Sequence, residues 1–424
     1  MRTHTAVALA TVIAVGAGGD LLAQRRDAFQ ESSLHPAIGY TTRPVHDRIA
    51  RLGEAIDAGT AHLTFDNATG YLPSVLAALG VPSESQMLVF SKTSAQAERI
   101  EMHNPRAVYF GDDVAVAWVR GSERLELAAH DPQQGVVFYT LNQLPSERPH
   151  LARRVNECLM CHLTWDTLAV PGFTLISTFP MPDDPNAYAT GVVMDARTPL
   201  GDRWGGWFVT GKAVPRLHRG NVPVVQPAAQ LAKPAPPPPI LAAVTDQFDA
   251  TGYLTPYSDV AALMVFEHEA HMTNLITHLN WEARVAPSGP GVPVRVAEAA
   301  RDLVDYMLFV DEAPIPSSIQ GSSGFAEKFS AAGPTDEQGR SLRQLDLTRH
   351  LMKYPCSYMI YNEAFDALPP TARDAAYRRL WQVLSGGVTG KAYTHLTLPV
   401  RRAVAEILHA TKKDLPSYFQ TVTR

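Results

Sequence analysis

Apolar residues repeat at two different periods along the chain, and the change of period divides it into three parts. Between Arg43 and Gly80 they recur at helical spacing, which predicts two helices, the second with Pro73 in its first turn. From Gln86 to Leu141 short apolar runs alternate with turn-forming dipeptides such as Asp112-Asp113. This alternation predicts an antiparallel β meander. After Tyr257 the helical period returns.

The same pattern gives bounds for the individual elements. The predicted strands are 87–90, 107–110, 114–119, 125–127 and 136–141, and the predicted C-terminal helices are 259–284, 294–310, 346–361, 372–384 and 398–410. Asp259, Asp346 and Thr371 lie where helix starts need capping groups. A further helix is predicted over 151–162, because residues three and four apart in this segment share one face. The expected fold class is α+β, with N-terminal helices plus an antiparallel β meander, a central segment and a mostly α-helical C-terminal half.

With 424 residues, the chain is long enough for two or three domains that each bury a core. Its proline-rich segment ends in Pro236-Pro237-Pro238-Pro239, which cannot hold a helix and predicts an extended linker or surface loop. The predicted organisation is an α+β N-terminal domain over 40–150, a central region over 151–222, the linker over 223–245 and a helical domain over 246–424.

The N-terminus has the order of an export signal. A short basic start is followed by an apolar run from Ala6 to Gly18, then by small residues and Arg25-Arg26. This order predicts a signal peptide over 1–23 and a periplasmic or otherwise exported location. The apolar run is shorter than the about 20 residues that a membrane span needs, and an uncleaved anchor is the alternative. No later segment has 18 uninterrupted apolar residues, so we expect no membrane span in the mature chain.

The central region carries the most specific motif of the chain, Cys158-Leu159-Met160-Cys161-His162. The spacing C-x-x-C-H is the attachment signature of a c-type haem. Two thiols three positions apart can each add to a vinyl group of one porphyrin, and the adjacent imidazole can then bind the iron. The motif predicts one covalent haem c, with Cys158 and Cys161 as thioether anchors and His162 as the proximal iron ligand.

A structural disulfide and half of a zinc site are the alternatives for the same cysteines. The remaining thiol, Cys356, lies in an apolar stretch and is predicted to be buried and inert. Arg153 and Arg154, just before the motif, are candidates to neutralise the haem propionates, or they form an ordinary solvated face.

The second axial ligand of the iron separates a closed electron carrier from an open catalytic site. His218, in a polar loop, is the first candidate. Met181, in a Met-Pro dipeptide, and His268, on the predicted helix 259–284, are weaker candidates. A solvated polar helix face is the alternative role for His268. An iron with no second ligand from the protein is the remaining option.

The order of the haem motif, the segment Trp204-Gly205-Gly206-Trp207-Phe208-Val209-Thr210-Gly211, His218 and Asn221 resembles an uncharacterised family of exported bacterial single-haem c-type cytochrome domain proteins. The resemblance extends from about Asp66 to Ser385. It implies haem c and secretion, and it implies no reaction. The proline-rich segment departs from the pattern as an insertion would.

Composition restricts the partners. The net charge is -5 and the pI is about 6.3, so the chain has no basic field for nucleic acid. We expect a redox partner protein or a small-molecule electron donor or acceptor. The sequence thus predicts an exported monohaem c protein that transfers electrons. The alternative is a peroxidase-like haem enzyme or gas sensor with an open iron site, for which His218, His268 and Glu267 are the candidate acid/base groups. A binding protein whose haem is only structural is the third option.

Overall fold

The computed structural model describes residues 33–178, 191–222, 237–286, 292–420 and residue 422. The predicted signal peptide, Met181 and most of the proline-rich segment lie outside the described residues. Within them the fold is α+β, as predicted, with N-terminal helices, an antiparallel sheet and a helical C-terminal half.

Two short helices precede the sheet, as predicted. Helix α1 is Arg48–Asp57, and Asp47 caps it by accepting the backbone N–H groups of Ile49 and Ala50. Helix α2 is Leu72–Ala78, with its proline in the first turn. Their apolar faces pack against one face of the sheet.

The sheet has six antiparallel strands in sequence order. They are Met87–Val89 (β1), Arg106–Gly111 (β2), Val114–Trp118 (β3), Arg124–Asp131 (β4), Gly135–Asn142 (β5) and Leu151–Arg154 (β6). The first five confirm the predicted meander. The helix predicted over 151–162 is wrong in its first part, because residues 151–154 pair with β5 and only Asn156–His162 form a helix, α3. A second, two-stranded sheet joins Ile176–Ser177 (β7) to Val192–Val193 (β8).

The two faces of the main sheet contribute to different cores. Along β5, Val137 and Tyr139 point towards α1 and α2, whereas Val136 and Phe138 point towards the C-terminal half. This is the alternation expected of a strand that is buried on both faces. The core on the side of the C-terminal half, which we call the second core, is continuous from the sheet to the C-terminal helices.

The C-terminal half is built around one long helix, α4, which runs from Val260 to Val285 and is capped by Asp259 as predicted. Around it lie Val294–Met307 (α5), Phe325–Ala331 (α6), Glu363–Asp366 (α7), Pro370–Leu384 (α8) and Leu398–Thr411 (α9). Helix α4 contacts α5, α6, α7, α8 and strand β5. It is therefore buried on nearly all sides.

Two predictions for this half are wrong. No α-helix forms over 346–361, where turns lead into a short 3-10 helix at Tyr358–Tyr361. Leu347 has a left-handed backbone (φ 54°), and the Asp346 carboxylate accepts the N–H groups of two following residues, which closes a turn. Thr371 is not a cap either, because α8 begins at Pro370 with Pro369 in the cap position.

In the described part of the chain, no helix is both long and apolar enough to cross a membrane. Helix α4 has 26 residues, but Glu267 and Glu269 interrupt its apolar surface. Both carboxyl groups are buried against protein partners, Arg203 and Tyr358.

Candidate functional site

The C-x-x-C-H motif forms helix α3, which follows directly on the edge strand β6. Cys158 is partly buried against the second core and Cys161 is exposed, and neither thiol is in a disulfide. Burial, together with the nearby Glu126 and Glu157 carboxylates, raises the pKa of Cys158 to about 11. The Cys158 thiol is therefore protonated near pH 7.

His162, the last residue of α3, is held in one defined orientation. Its Nδ1 lies 2.9 Å from the carbonyl oxygen of Gly172. A carbonyl only accepts, so Nδ1 carries the proton and donates, and Nε2 keeps its lone pair. The imidazole packs against the Phe138 ring, with centroids 4.6 Å apart at 39°. Burial lowers the pKa of His162, which keeps the ring neutral near pH 7.

The loop after α3 places the Gly172 carbonyl. The Gly172 N–H donates back to the His162 carbonyl oxygen (2.9 Å), so the two residues are joined twice. The Asn274 side chain on α4 bonds both the N–H and the carbonyl of Phe173, at 2.9 and 2.8 Å. A Cβ at position 172 would collide with the Asn274 side chain. Glycine is therefore required there, and α4 fixes the loop that orients His162.

Beside His162, one face of the main sheet carries small side chains. Phe138 aligns across the strands with Ala128 and Ala115, and the next row of the same face contains Ala152 and Ala117. We call Ala115, Ala117, Ala128 and Ala152 the alanine patch. Ala117, on the inner strand β3, and Ala152, on the edge strand β6, are partly exposed. In the row of Ala117 and Ala152, Glu126 and Thr140 lie between the two alanines, whereas Ala115 and Ala128 are buried in the core.

Charged residues border the alanine patch. The Arg106 guanidinium is 3.3 Å from the Glu126 carboxylate, and its Nε is buried without a hydrogen-bond partner. The Arg154 Nε–H donates to the Thr140 hydroxyl (2.9 Å) on the same face. Arg153 lies on the opposite face, where it bonds the Tyr40 carbonyl and covers the Tyr40 ring. Of the two arginines predicted to reach propionates, only Arg154 therefore shares a face with Phe138 and the patch.

His218 is buried, and its contacts leave one ring nitrogen available. Its Nδ1 accepts the Gly220 N–H at 3.0 Å, and its ring meets Trp204 edge-on at 5.3 Å. Burial lowers the pKa of His218 to about 4. Nε2 has no hydrogen-bond partner among the residues that the structure describes. These neighbours differ from those of His162, and within the described residues no hydrogen bond or ring contact joins the two imidazoles.

His268 has a different environment from the one predicted. It is fully buried on α4, and its Nε2 lies 2.7 Å from the Ser357 hydroxyl. Its ring stacks on Phe309 (4.5 Å) and Tyr306 (5.2 Å), and burial lowers its pKa to about 3. The alternative role, a solvated polar face, is wrong, because the helix is enclosed by other elements. Met181, the remaining candidate ligand, lies outside the described residues.

Glu267, the neighbour of His268, belongs to a buried ion pair. Its carboxylate accepts from the Arg203 guanidinium (2.8 Å) and from the Trp204 indole N–H (2.5 Å). Burial raises the pKa of Glu267 to about 7 against the opposing effect of Arg203. Cys356 is fully buried, as predicted, and burial raises its pKa to about 12.

Three parts of the site were not found from the sequence: Phe138, Gly172 and the alanine patch. The period-two pattern of β5 could have placed Phe138 on the motif's side of the sheet. Gly172 carries no local signal, because its role depends on Asn274, about one hundred residues away.

The two free thiols and an imidazole whose Nε2 keeps its lone pair thus lie on one helix. Over the described ranges, no cluster of three or more His, Cys, Asp or Glu side chains has the arrangement of a metal site, so a zinc site gains no further ligands there. Comparison of the chain with protein-family models, with curated proteins and with solved structures finds no match.

Proposed function

We propose that the chain is an exported monohaem c-type protein that transfers single electrons. Cys158 and Cys161 would hold the porphyrin through thioether bonds, and His162 would bind the iron through Nε2. The observation that carries the proposal is the pairing of His162 Nδ1–H with the Gly172 carbonyl. Metal-ligating histidines use this pairing to fix the tautomer and aim the other nitrogen at the metal.

When bound, the haem would supply an iron that alternates between the ferrous and ferric states. The residues of this chain would orient the group and tune its surroundings. The hydrogen bond to the Gly172 carbonyl would make His162 Nε2 a stronger electron-pair donor to the iron, and Phe138 would restrict rotation of the imidazole ring. The Arg106–Glu126 pair lies close enough to His162 to act on its charge.

The compartment follows from the same chemistry. C-type haem is attached outside the cytoplasm, so the proposal requires export, and the signal-like pattern over 1–23 supports it. A redox partner protein or a small-molecule donor or acceptor would exchange electrons with the iron. The acidic net charge argues against nucleic acid as that partner.

Among the candidates for the second iron ligand, the contacts favour His218 over His268. His218 uses Nδ1 to accept the Gly220 N–H, which leaves Nε2 for another partner. His268 Nε2 is already paired with Ser357, two aromatic rings stack on its imidazole, and its unpaired Nδ1 is fully buried. We therefore propose His218 as the ligand that closes the iron site.

One observation favours the second candidate function, a peroxidase-like enzyme or gas sensor. Ala117 and Ala152 of the alanine patch remain partly exposed. An area that stays open next to the iron ligand would admit a small molecule if no side chain closed it.

The test of the proposal is expression of the full chain with and without the haem c maturation machinery. We expect haem that stays on the protein in a denaturing gel only when the machinery is present, at one haem per chain by pyridine haemochrome. Protein that matures without covalent haem, and carries zinc or a Cys158–Cys161 disulfide by mass spectrometry, would contradict the proposal.

A further inference from the structure

A cleft of about 570 Å³ opens at the end of the sheet face that carries the alanine patch. Arg124 on β4, Asn142 on β5 and Arg154 on β6 line it from the sheet, and residues 95–99 line it from the facing loop. Arg124 and Asn142 are paired across the strands, and Arg154 is opposite Phe138.

Arginine side chains without ion-pair partners among the described residues line this cleft. Arg124 and Arg154 are partly buried, and neither forms an ion pair within the described part of the chain. The Arg154 guanidinium uses only Nε, towards Thr140. Arg106, on the same face, differs because Glu126 neutralises it. Three arginines without ion pairs in the described residues therefore line one cavity, the partly buried Arg124 and Arg154 and the exposed Arg99.

Gln96 gives an independent indication of a ligand. It lines the cleft, its side chain is only 6% exposed, and its Oε1 is occupied by the Ser122 hydroxyl. Its Nε2 is buried without an acceptor. An amide N–H buried in this way is unfavourable unless an acceptor arrives from outside the chain. The acidic lining residues, Glu98 and Glu123, are exposed at the rim.

We propose that the cleft binds a carboxylate ligand, with Arg124 and Arg154 as its ion-pair partners and Gln96 Nε2 as an additional donor. Guanidinium groups match the two oxygens of a carboxylate, and a partly buried site strengthens the pairing. One source of the carboxylates is the haem propionates, because Arg154 lies only four residues before Cys158. This source rests on the proposed function. A free small carboxylic acid is the other source.

Redox titration of the matured protein between pH 5 and 9 tests the first source. If propionates fill the cleft, Arg124→Gln and Arg154→Gln each lower the midpoint potential, because loss of a nearby cation favours ferric iron. The potential also becomes more pH-dependent as the released propionate titrates. The midpoint potential of Arg124→Lys lies between those of the wild type and of Arg124→Gln. Arg301→Gln, at an exposed arginine on α5, leaves it unchanged.

Calorimetric titration with succinate and citrate tests the second source and needs no haem. Saturable binding to the full chain that weakens at least tenfold in Arg124→Gln, without any change in potential, assigns the cleft to a free carboxylate. The carboxylate site is overturned if both probes fail to bind and the potentials of both variants match Arg301→Gln. Failure of the proposed function is seen separately, as absence of covalent haem.

Discussion

Two short helical segments of this chain combine histidine with acidic or polar neighbours, and they differ in how deeply the fold buries them. The motif at Cys158–His162 lies on a seven-residue helix at the sheet edge, with Cys161 exposed and one nitrogen of His162 free. The segment Glu267–His271 lies on a 26-residue helix in the middle of the core, where His268 is paired and stacked.

The surroundings of His162 and His268 show that packing, rather than residue type, decides which histidine is available for chemistry. Both His162 and His268 are neutral near pH 7, because burial lowers both pKa values. Of the two, His162 alone has a backbone carbonyl that fixes its tautomer, and its Nε2 has no partner in the part of the chain that the structure describes. In the Glu267–His271 segment, Arg203 pairs with the Glu267 carboxylate and Ser357 pairs with His268 Nε2, while His268 Nδ1 is buried without a partner among the described residues.

The largest expected effect comes from removing the thiols of the motif. Cys158→Ala combined with Cys161→Ala should abolish covalent haem completely, because no thioether can form. Haem staining of a denaturing gel measures this. Cys356→Ala is the matched control and should keep full staining, since that thiol is buried away from the motif. Covalent haem in the double variant would place the attachment elsewhere.

The next effect concerns the stability of the Glu267–His271 segment. Arg203→Met leaves the Glu267 carboxylate buried without its cation and should lower the free energy of unfolding by about 3–5 kcal/mol. Urea unfolding measures the loss, and the haem content of the folded fraction should not change. Adding Glu267→Leu should recover part of the stability. A loss below about 1 kcal/mol would show that the pair does not hold this region.

A smaller loss in the free energy of unfolding is expected when the pH is lowered. Burial lowers the pKa of His130 to about 4, whereas in the unfolded chain a histidine titrates near about 6.5. Between these values the unfolded state binds more protons, so His130 costs stability as the pH falls through this window, by about 1.4 kcal/mol per pH unit.

Urea unfolding at pH 7, 6 and 5 measures this slope. Buried carboxyl groups such as Glu267 act in the opposite direction, because burial raises the pKa of Glu267 to about 7. The informative quantity is therefore the difference between variants. As the pH falls from 7 to 5, His130→Gln should lose less stability, or gain more, than the wild type, and His62→Gln, at an exposed position, should follow the wild type. Identical slopes for all three proteins would exclude a buried neutral His130.

The smallest effect sharpens the role of Phe138. Phe138→Leu keeps an apolar side chain of similar volume and should cost less than about 1.5 kcal/mol of stability. It removes the ring against which His162 packs, so the absorption bands of the ferric haem should broaden or shift as the imidazole gains freedom. Phe365→Leu, in the C-terminal core, should leave the spectrum unchanged. Equal spectra would show that Gly172 alone orients His162.

The accuracy of the sequence-based predictions depended on how local each signal was. Strands β1 to β5 were predicted well, because turn dipeptides bound each apolar run. Strand β6 was missed, because its four residues fit a helical pattern equally well and only pairing with β5 decides between them. The helix predicted over 346–361 failed because a left-handed residue at Leu347 and the Asp346 turn override its apolar period.

The residues of the candidate site also fall into those with a local sequence signal and those without one. The cysteines and His162 form a contiguous motif, so the sequence alone identifies them as candidates. The Gly172 carbonyl, its support from Asn274 and the enclosure of His268 by Phe309 and Ser357 depend on contacts between distant segments. No spacing in the sequence reports such contacts.

The most direct test of the central claim is addition of carbon monoxide to the matured protein after reduction with dithionite. The account predicts no spectral change for the wild type, because a second protein ligand closes the iron. It also predicts that CO binding appears in His218→Ala and not in His268→Gln. If CO binding appears instead only in Met181→Ala, the ligand assignment changes and the electron-carrier function stands. Rapid CO binding by the wild type would contradict the account and favour an open-site enzyme or gas sensor.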